Sequence, residues 1–160
     1  MLFSTRFRLW HSLLGLSILV SAEGLLVQIA GPISGAWAVC ACALIGTFIH
    51  MYVATEVIQD IRNPTRMLMA LSAVVGEFIL FFAFQYWYLL FVSPQSFPTL
   101  LPLPLALLLH STMVFVFNPL DTPANTAGQA LLLINILGAL VLVMFIFQNI
   151  SQLRRKSEVI

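Results

Sequence analysis

The sequence predicts an all-α integral membrane protein with four transmembrane helices plus a re-entrant helical segment. Three observations lead there. Hydrophobic residues make up 61% of the chain against 8% charged, and the mean hydropathy is +1.02, outside the range of ordinary soluble domains. The apolar residues fall into runs long enough to cross a hydrocarbon core of about 30 Å, which takes about 20 helical residues. All seven basic residues sit between or beyond those runs, in three clusters.

In chain order, the first run extends from Leu9 to Ala30, after Arg6 and Arg8. It is too long for the apolar part of a signal peptide and has no convincing small-residue cleavage site, so it reads as a membrane helix. The second, Gly35 to Ile58, is followed by Arg62 and Arg66, and the third covers Met67 to Val92. The fourth, Thr126 to Ile150, precedes Arg154, Arg155 and Lys156. Between the last two lies an apolar stretch from Phe97 to Phe117, with Pro98, Pro102 and Pro104 at its start and Asn118-Pro119 after it. If that stretch enters and leaves on one side, all three basic clusters face the cytoplasm, as the positive-inside rule asks. If it crosses, the last cluster lands outside. The re-entrant reading is preferred, with both termini cytoplasmic and the lipid bilayer as the first partner.

Several function classes find no footing. A net charge of +1 with no basic face excludes nucleic acid as an expected partner. No spacing suggests a metal-ligand set, a Ser/His/Asp arrangement or a phosphate-cradling loop, so the protein is not expected to be an enzyme or to hold a metal. Cys40 and Cys42, two apart on one helix, point in different directions and read as packing residues rather than a disulfide. Small residues including Gly15, Gly24, Gly31 and Gly35 suit close helix contact.

Two carboxylates fall inside the predicted spans: Glu77 in the third helix and Glu23 in the outer half of the first. A carboxylate near the bilayer centre costs about 2.5–3.5 kcal/mol on insertion scales unless protonated, paired or wet. Each therefore reads either as an intramembrane acid in an ion or proton path, or as a protonated group bonded to a neighbouring helix. The cluster Phe81, Phe82, Phe84, Tyr86, Trp87 and Tyr88, with Gln85 among it, is expected to form an interfacial aromatic belt.

The last hundred residues carry a motif order. An outer helix, Met67 to Val92, is followed by Ser93-Pro94-Gln95-Ser96-Phe97, by Leu107-Leu108-Leu109-His110-Ser111-Thr112, and by the turn-rich Val116-Phe117-Asn118-Pro119-Leu120-Asp121. Thr122-Pro123-Ala124-Asn125-Thr126-Ala127-Gly128 then opens the last helix, with Gly138 within it. This order resembles the two-helix pore module of the potassium channel superfamily, over roughly residues 67 to 152. The resemblance implies a turret at 93–97, a pore helix carrying His110, Ser111 and Thr112, a filter-like segment Val116–Asp121, an inner-helix hinge at Gly138, and a homotetramer in a bacterial inner membrane. It divides the chain into an N-terminal helix pair, 1–62, and a pore-like module with a short basic tail, 63–160. In the family, Asp121 would anchor the pore helix. The departure is equally clear: the filter-like segment has no glycine. Filter glycines permit the backbone geometry that turns successive carbonyls inward, and Phe117, Pro119 and Leu120 are poorly suited to it. The function implied is an ion-channel-like membrane protein of weak or altered cation selectivity, without a cofactor.

The alternative comes from His11 and His50, which an antiparallel helix pair would bring to related depth. Such a pair can ligate haem or, singly, chlorophyll. The phrases Arg8-Leu9-Trp10-His11 and Ile49-His50-Met51-Tyr52 resemble helix starts and ends in membrane b-type cytochromes. The protein would then be a non-conducting accessory or cofactor-binding subunit of a larger bioenergetic membrane complex.

Overall fold

In the computed structural model, the backbone is described for residues 2–60 and 63–157, and side chains for 13–57, 63 and 65–148. The described residues form five α-helices and one short 3-10 turn, with no strand: α1 Leu2–Ile29, α2 Pro32–Asp60, α3 Pro64–Val92, the 3-10 turn Pro94–Ser96, α4 Pro104–Phe115 and α5 Thr126–Ser157. Proline at the first helical position opens α2, α3 and α4, where its fixed φ suits the helix and its missing N–H has no intrahelical partner to lose. Asn63 caps α3 by accepting from the Arg66 N–H at 3.2 Å.

This is the fabric of a membrane protein. Among the described residues, Pro32–Val57, Thr65–Val92 and Thr126–Gln148 are long and apolar enough to cross a bilayer, while Leu13–Ile29 and Pro104–Phe115 are shorter apolar helices. Large apolar side chains line the outside as well as the core: Ile18, Leu25, Phe48, Met69, Leu133 and Phe147 are all exposed. Helices apolar all round are expected where lipid replaces water.

α2 and α3 form the centre. α1 packs against both, and α5 packs against both from elsewhere, with no α1–α5 contact among the described residues. α4 rests on α3 and α5. Close approach of α2 to α3 is possible because Gly46 leaves room for the Phe81 ring, where an added methyl would collide. Gly138 does the same for α5, since a Cβ there would lie 2.9 Å from Thr47 Cγ2 and 3.0 Å from Phe78 Cζ. The environment of Gly138 is thus a packed three-helix contact.

Within 97–117 the helix covers Pro104–Phe115, because Pro98 and Pro102 lie before it and Pro104 starts it. In 93–97, Pro94 and Gln95 are exposed while Ser96 and Phe97 are buried. One expectation needs correcting. The aromatic cluster is not a belt throughout. Trp87 is exposed, but Phe81, Phe82 and Tyr86 lie in the core, on the side of α3 that meets its neighbours.

Candidate functional site

The site grows from the way α4 ends and the chain returns. α4 runs antiparallel to α3. Pro102 and Pro104 share a cleft with Trp87, His110 meets Tyr86, Ser111 donates to the Ile79 carbonyl at 2.7 Å, and Phe115 packs on Phe78. Phe78 lies fourteen residues before the end of α3, about 21 Å down its axis at 1.5 Å per residue. From there residues 116–125 carry the chain back without a helix. Their ten residues can span about 33 Å when extended, enough to regain the level of Ser93. Arrival is fixed by hydrogen bonds: the Ala124 N–H donates to the Ser96 carbonyl at 2.9 Å, and Asn125 Nδ2 donates to the hydroxyls of Ser93 and Ser96 at 3.1 and 2.9 Å. Asn125 Oδ1 also accepts from the Gly128 N–H at 2.8 Å, capping α5.

The end of α4 is a Schellman closure. The Asn118 N–H donates to the Met113 carbonyl at 2.8 Å and the Phe117 N–H to the Val114 carbonyl at 2.9 Å, with Phe117 at φ 62°. That left-handed position usually belongs to glycine. At Phe117 the two hydrogen bonds that close the helix offset the strain of that backbone.

Val116, Phe117, Asn118, Pro119 and Leu120 are all exposed in the single chain, whereas Asp121 turns inward and is buried. Asp121 Oδ1 accepts from the Thr122 N–H at 2.8 Å, and Oδ2 has no partner. Its charge reaches His110 on α4. His110 is fully buried with both ring nitrogens unpartnered, between Tyr86 and Phe97, at centroid distances of 4.6 and 5.5 Å. On the far side of Tyr86, its hydroxyl accepts from Asn135 Nδ2 of α5 at 3.2 Å. The Asn135–Tyr86 hydrogen bond and the Tyr86–His110 ring contact thus link α5, α3 and α4. Thr112, by contrast, bonds only along α4, to Leu108 O at 2.8 Å.

The other sequence-selected residues lie elsewhere. Glu23, fully buried in α1, accepts from Gln85 Nε2 on α3 at 2.7 Å. Glu77 is half-buried and walls a cleft of about 290 Å³ between α1 and α3, together with Ser17 and Ser21. His50 is buried beside Phe78 and Phe81, and its Nδ1 pairs with the Gly46 carbonyl at 2.7 Å. Its Nε2 makes no hydrogen bond of good geometry, although the Glu77 backbone lies close enough to act on the ring. His11 lies outside the residues whose side chains are described. Cys40 and Cys42 are buried free thiols. Among the described residues no three His, Cys, Asp or Glu side chains gather into a metal-binding group.

Sequence reading passed over Tyr86, Gln85 and Asn125 as site members. Gln85 and Glu23 were each visible as a polar residue in a largely apolar helix, which is the signal that such residues seek partners. Between α3 and α4 there is also a cleft of about 530 Å³, walled by apolar side chains including Leu80, Phe84, Trp87 and Leu105. No protein-family model, curated protein or solved structure matches the chain.

Proposed function

We propose that the chain is an ion-channel-like membrane protein, in which four copies surround a cation path lined by Val116–Leu120. One observation carries this reading. Residues 116–120 are non-helical and exposed in the single chain, beside an α4 that ends far down α3. At membrane depth, irregular backbone is tolerated only where protein buries it or water lines it. Further copies around an axis through this segment would supply both conditions.

The geometry of α4 supports a re-entrant hairpin. Its twelve residues rise about 18 Å, short of a hydrocarbon core of about 30 Å. With α1, α2, α3 and α5 as spans and α4 re-entering, the basic clusters at 6–8, 62–66 and 154–156 share one side, which favours cytoplasmic termini in a bacterial inner membrane. Asp121 acts as the anchor of the hairpin through its inward turn toward His110. Without glycines, the filter-like segment does not offer four stacked rings of carbonyls, so cation selectivity is weak or altered.

Cation flux into liposomes containing the purified, assembled protein tests this reading, with potassium and sodium compared. Flux above empty liposomes that changes in Asp121→Asn and in Phe117→Gly is expected. No flux from folded protein overturns it. A second reading, a cofactor-binding subunit of a larger membrane complex, rests on His50, whose Nε2 makes no hydrogen bond of good geometry. It requires the ring to leave its Phe78–Phe81 enclosure, and a haem or chlorophyll absorption band in the purified protein would favour it.

A further inference from the structure

Glu23 and Gln85 face one another across α1 and α3 with both side chains wholly enclosed. One hydrogen bond joins them, from Gln85 Nε2 to Glu23 Oε2 at 2.7 Å. The two remaining oxygens, Glu23 Oε1 and Gln85 Oε1, are both without partners. An ionised carboxylate only accepts, and so does an amide oxygen. Two buried acceptors left without a donor are costly, and the more so for a charged group.

The neighbours supply no donor. Among the described residues, α1 packs on α2 and α3. The titratable groups that sense Glu23 from those helices are Cys40 and Cys42 on α2 and Tyr88 on α3. The Cys40 thiol donates to the Ala127 carbonyl at 3.5 Å, and the Tyr88 hydroxyl to the Val20 carbonyl at 3.1 Å. Cys42 makes no bond to Glu23 Oε1. No Lys or Arg occurs in the sequence between Arg8 and Arg62 or between Arg66 and Arg154, so α1 and α2 offer no cation at this depth.

We propose that Glu23 is a proton-binding site: the neutral carboxylic acid donates from Oε1 to Gln85 Oε1 while Gln85 Nε2 donates to Oε2. A single proton thereby satisfies both open oxygens and closes an acid–amide ring that clasps α1 to α3. Removing the proton leaves two acceptors facing one another, so the clasp is tied to the occupancy of the site. This inference does not depend on the pore reading, because neither residue belongs to α4, its return or α5.

Infrared spectra of the purified full chain at neutral pH, wild type against Glu23→Gln, test it. Glu23→Gln keeps an amide able to form the same paired bonds, so the variant is expected to fold, which circular dichroism and elution volume check. The wild-type difference spectrum is expected to show the carbonyl stretch of a protonated, hydrogen-bonded carboxylic acid, moving down in D₂O. In Gln85→Met, which removes the ring partner while keeping its length, that band is expected to move to the higher frequency of an acid lacking its acceptor. If Gln85→Met does not fold, Gln85→Glu serves, with a second carboxyl carbonyl expected beside the first and the Glu23 band displaced. A pair of carboxylate stretches in place of the acid band overturns the proposal. So does an acid band that none of the Gln85 variants displaces.

Discussion

The ring of His110 meets that of Tyr86 nearly at right angles, with planes at 88° and centroids 4.6 Å apart. Such edge-to-face contacts are worth about 0.5–1.5 kcal/mol beyond the burial they bring. Yet both His110 nitrogens are enclosed without a protein partner, and an open polar atom of this kind costs about 1–3 kcal/mol. The ring shape is favourable and its polarity is not. His110→Phe is therefore expected to leave thermal stability in detergent unchanged or raised, while His110→Ala, which opens a cavity, lowers it by about 2–4 kcal/mol. A loss in His110→Phe equal to that in His110→Ala would mean that a nitrogen is bonded through water, with Asp121 Oδ2 as the open acceptor nearby.

Phe117 tests how the end of α4 is held. Its φ of 62° belongs to the left-handed region, where a side chain costs about 1–2 kcal/mol. The ring is half-exposed and contributes little burial in return within one chain. Phe117→Gly should raise the stability of the dispersed chain by about 1 kcal/mol, and Phe117→Val should lower it, because branching at Cβ worsens the same backbone. Unfolding in SDS, followed by circular dichroism, reads both. Destabilisation by glycine would show that the Phe117 ring is packed, as it would be against other copies.

Asn125 fastens the return to the turn that follows α3. One side-chain amide caps α5 through Gly128 N–H and ties it to Ser93 and Ser96. Asn125→Ala removes all three bonds and is expected to cost about 2 kcal/mol, the upper range for a lost cap. Asn125→Asp keeps an acceptor for Gly128 N–H and loses the amide donors, so it should fall between Ala and wild type. In a cycle with Ser93→Ala plus Ser96→Ala, the coupling should be positive, since the three residues share one network. Additive losses would place the stabilisation in the cap alone.

How far the sequence disclosed this architecture depends on what each part rests on. The end of α3 at Val92 and the start of α5 at Thr126 were legible, because Ser93-Pro94 and Asn125-Thr126 are local signals. α1, α2 and α5 run several residues beyond their apolar stretches, to Leu2, Asp60 and Ser157, since a helix continues through polar turns that hydropathy discounts. The burial of Tyr86 was not legible. On a helix apolar all round, no contrast between faces says which aromatic turns inward. The Glu23–Gln85 pair lay sixty-two positions apart on non-consecutive helices, and only the crossing of α1 and α3 brings them together. The left-handed backbone at Phe117 was not legible either, since glycine is the usual residue at such a position and only the Schellman bonds reveal it.

The re-entrant course of α4 has the most direct test, because the alternatives place two residues on different sides of the membrane. Thr99 precedes α4 and Thr122 lies near the end of the return; both are exposed. The bonds of Ser96 and Phe97 to Ala124 and Leu100 hold the two flanking turns at one end of the bundle. A hairpin keeps Thr99 and Thr122 on one face, whereas a spanning helix would separate them by the full hydrocarbon core, about 30 Å. Single cysteines at each position, in a chain whose Cys40 and Cys42 are replaced by alanine, would be labelled in intact cells with a thiol reagent that does not cross membranes. Thr99→Cys and Thr122→Cys are both expected to react from outside, and Asn63→Cys, at the opposite end beside the basic cluster, only after the membrane is opened. Labelling of Thr99→Cys but not Thr122→Cys would make α4 part of a fifth span, move the tail cluster of Arg154, Arg155 and Lys156 to the outer face, and remove the irregular backbone on which the pore reading rests.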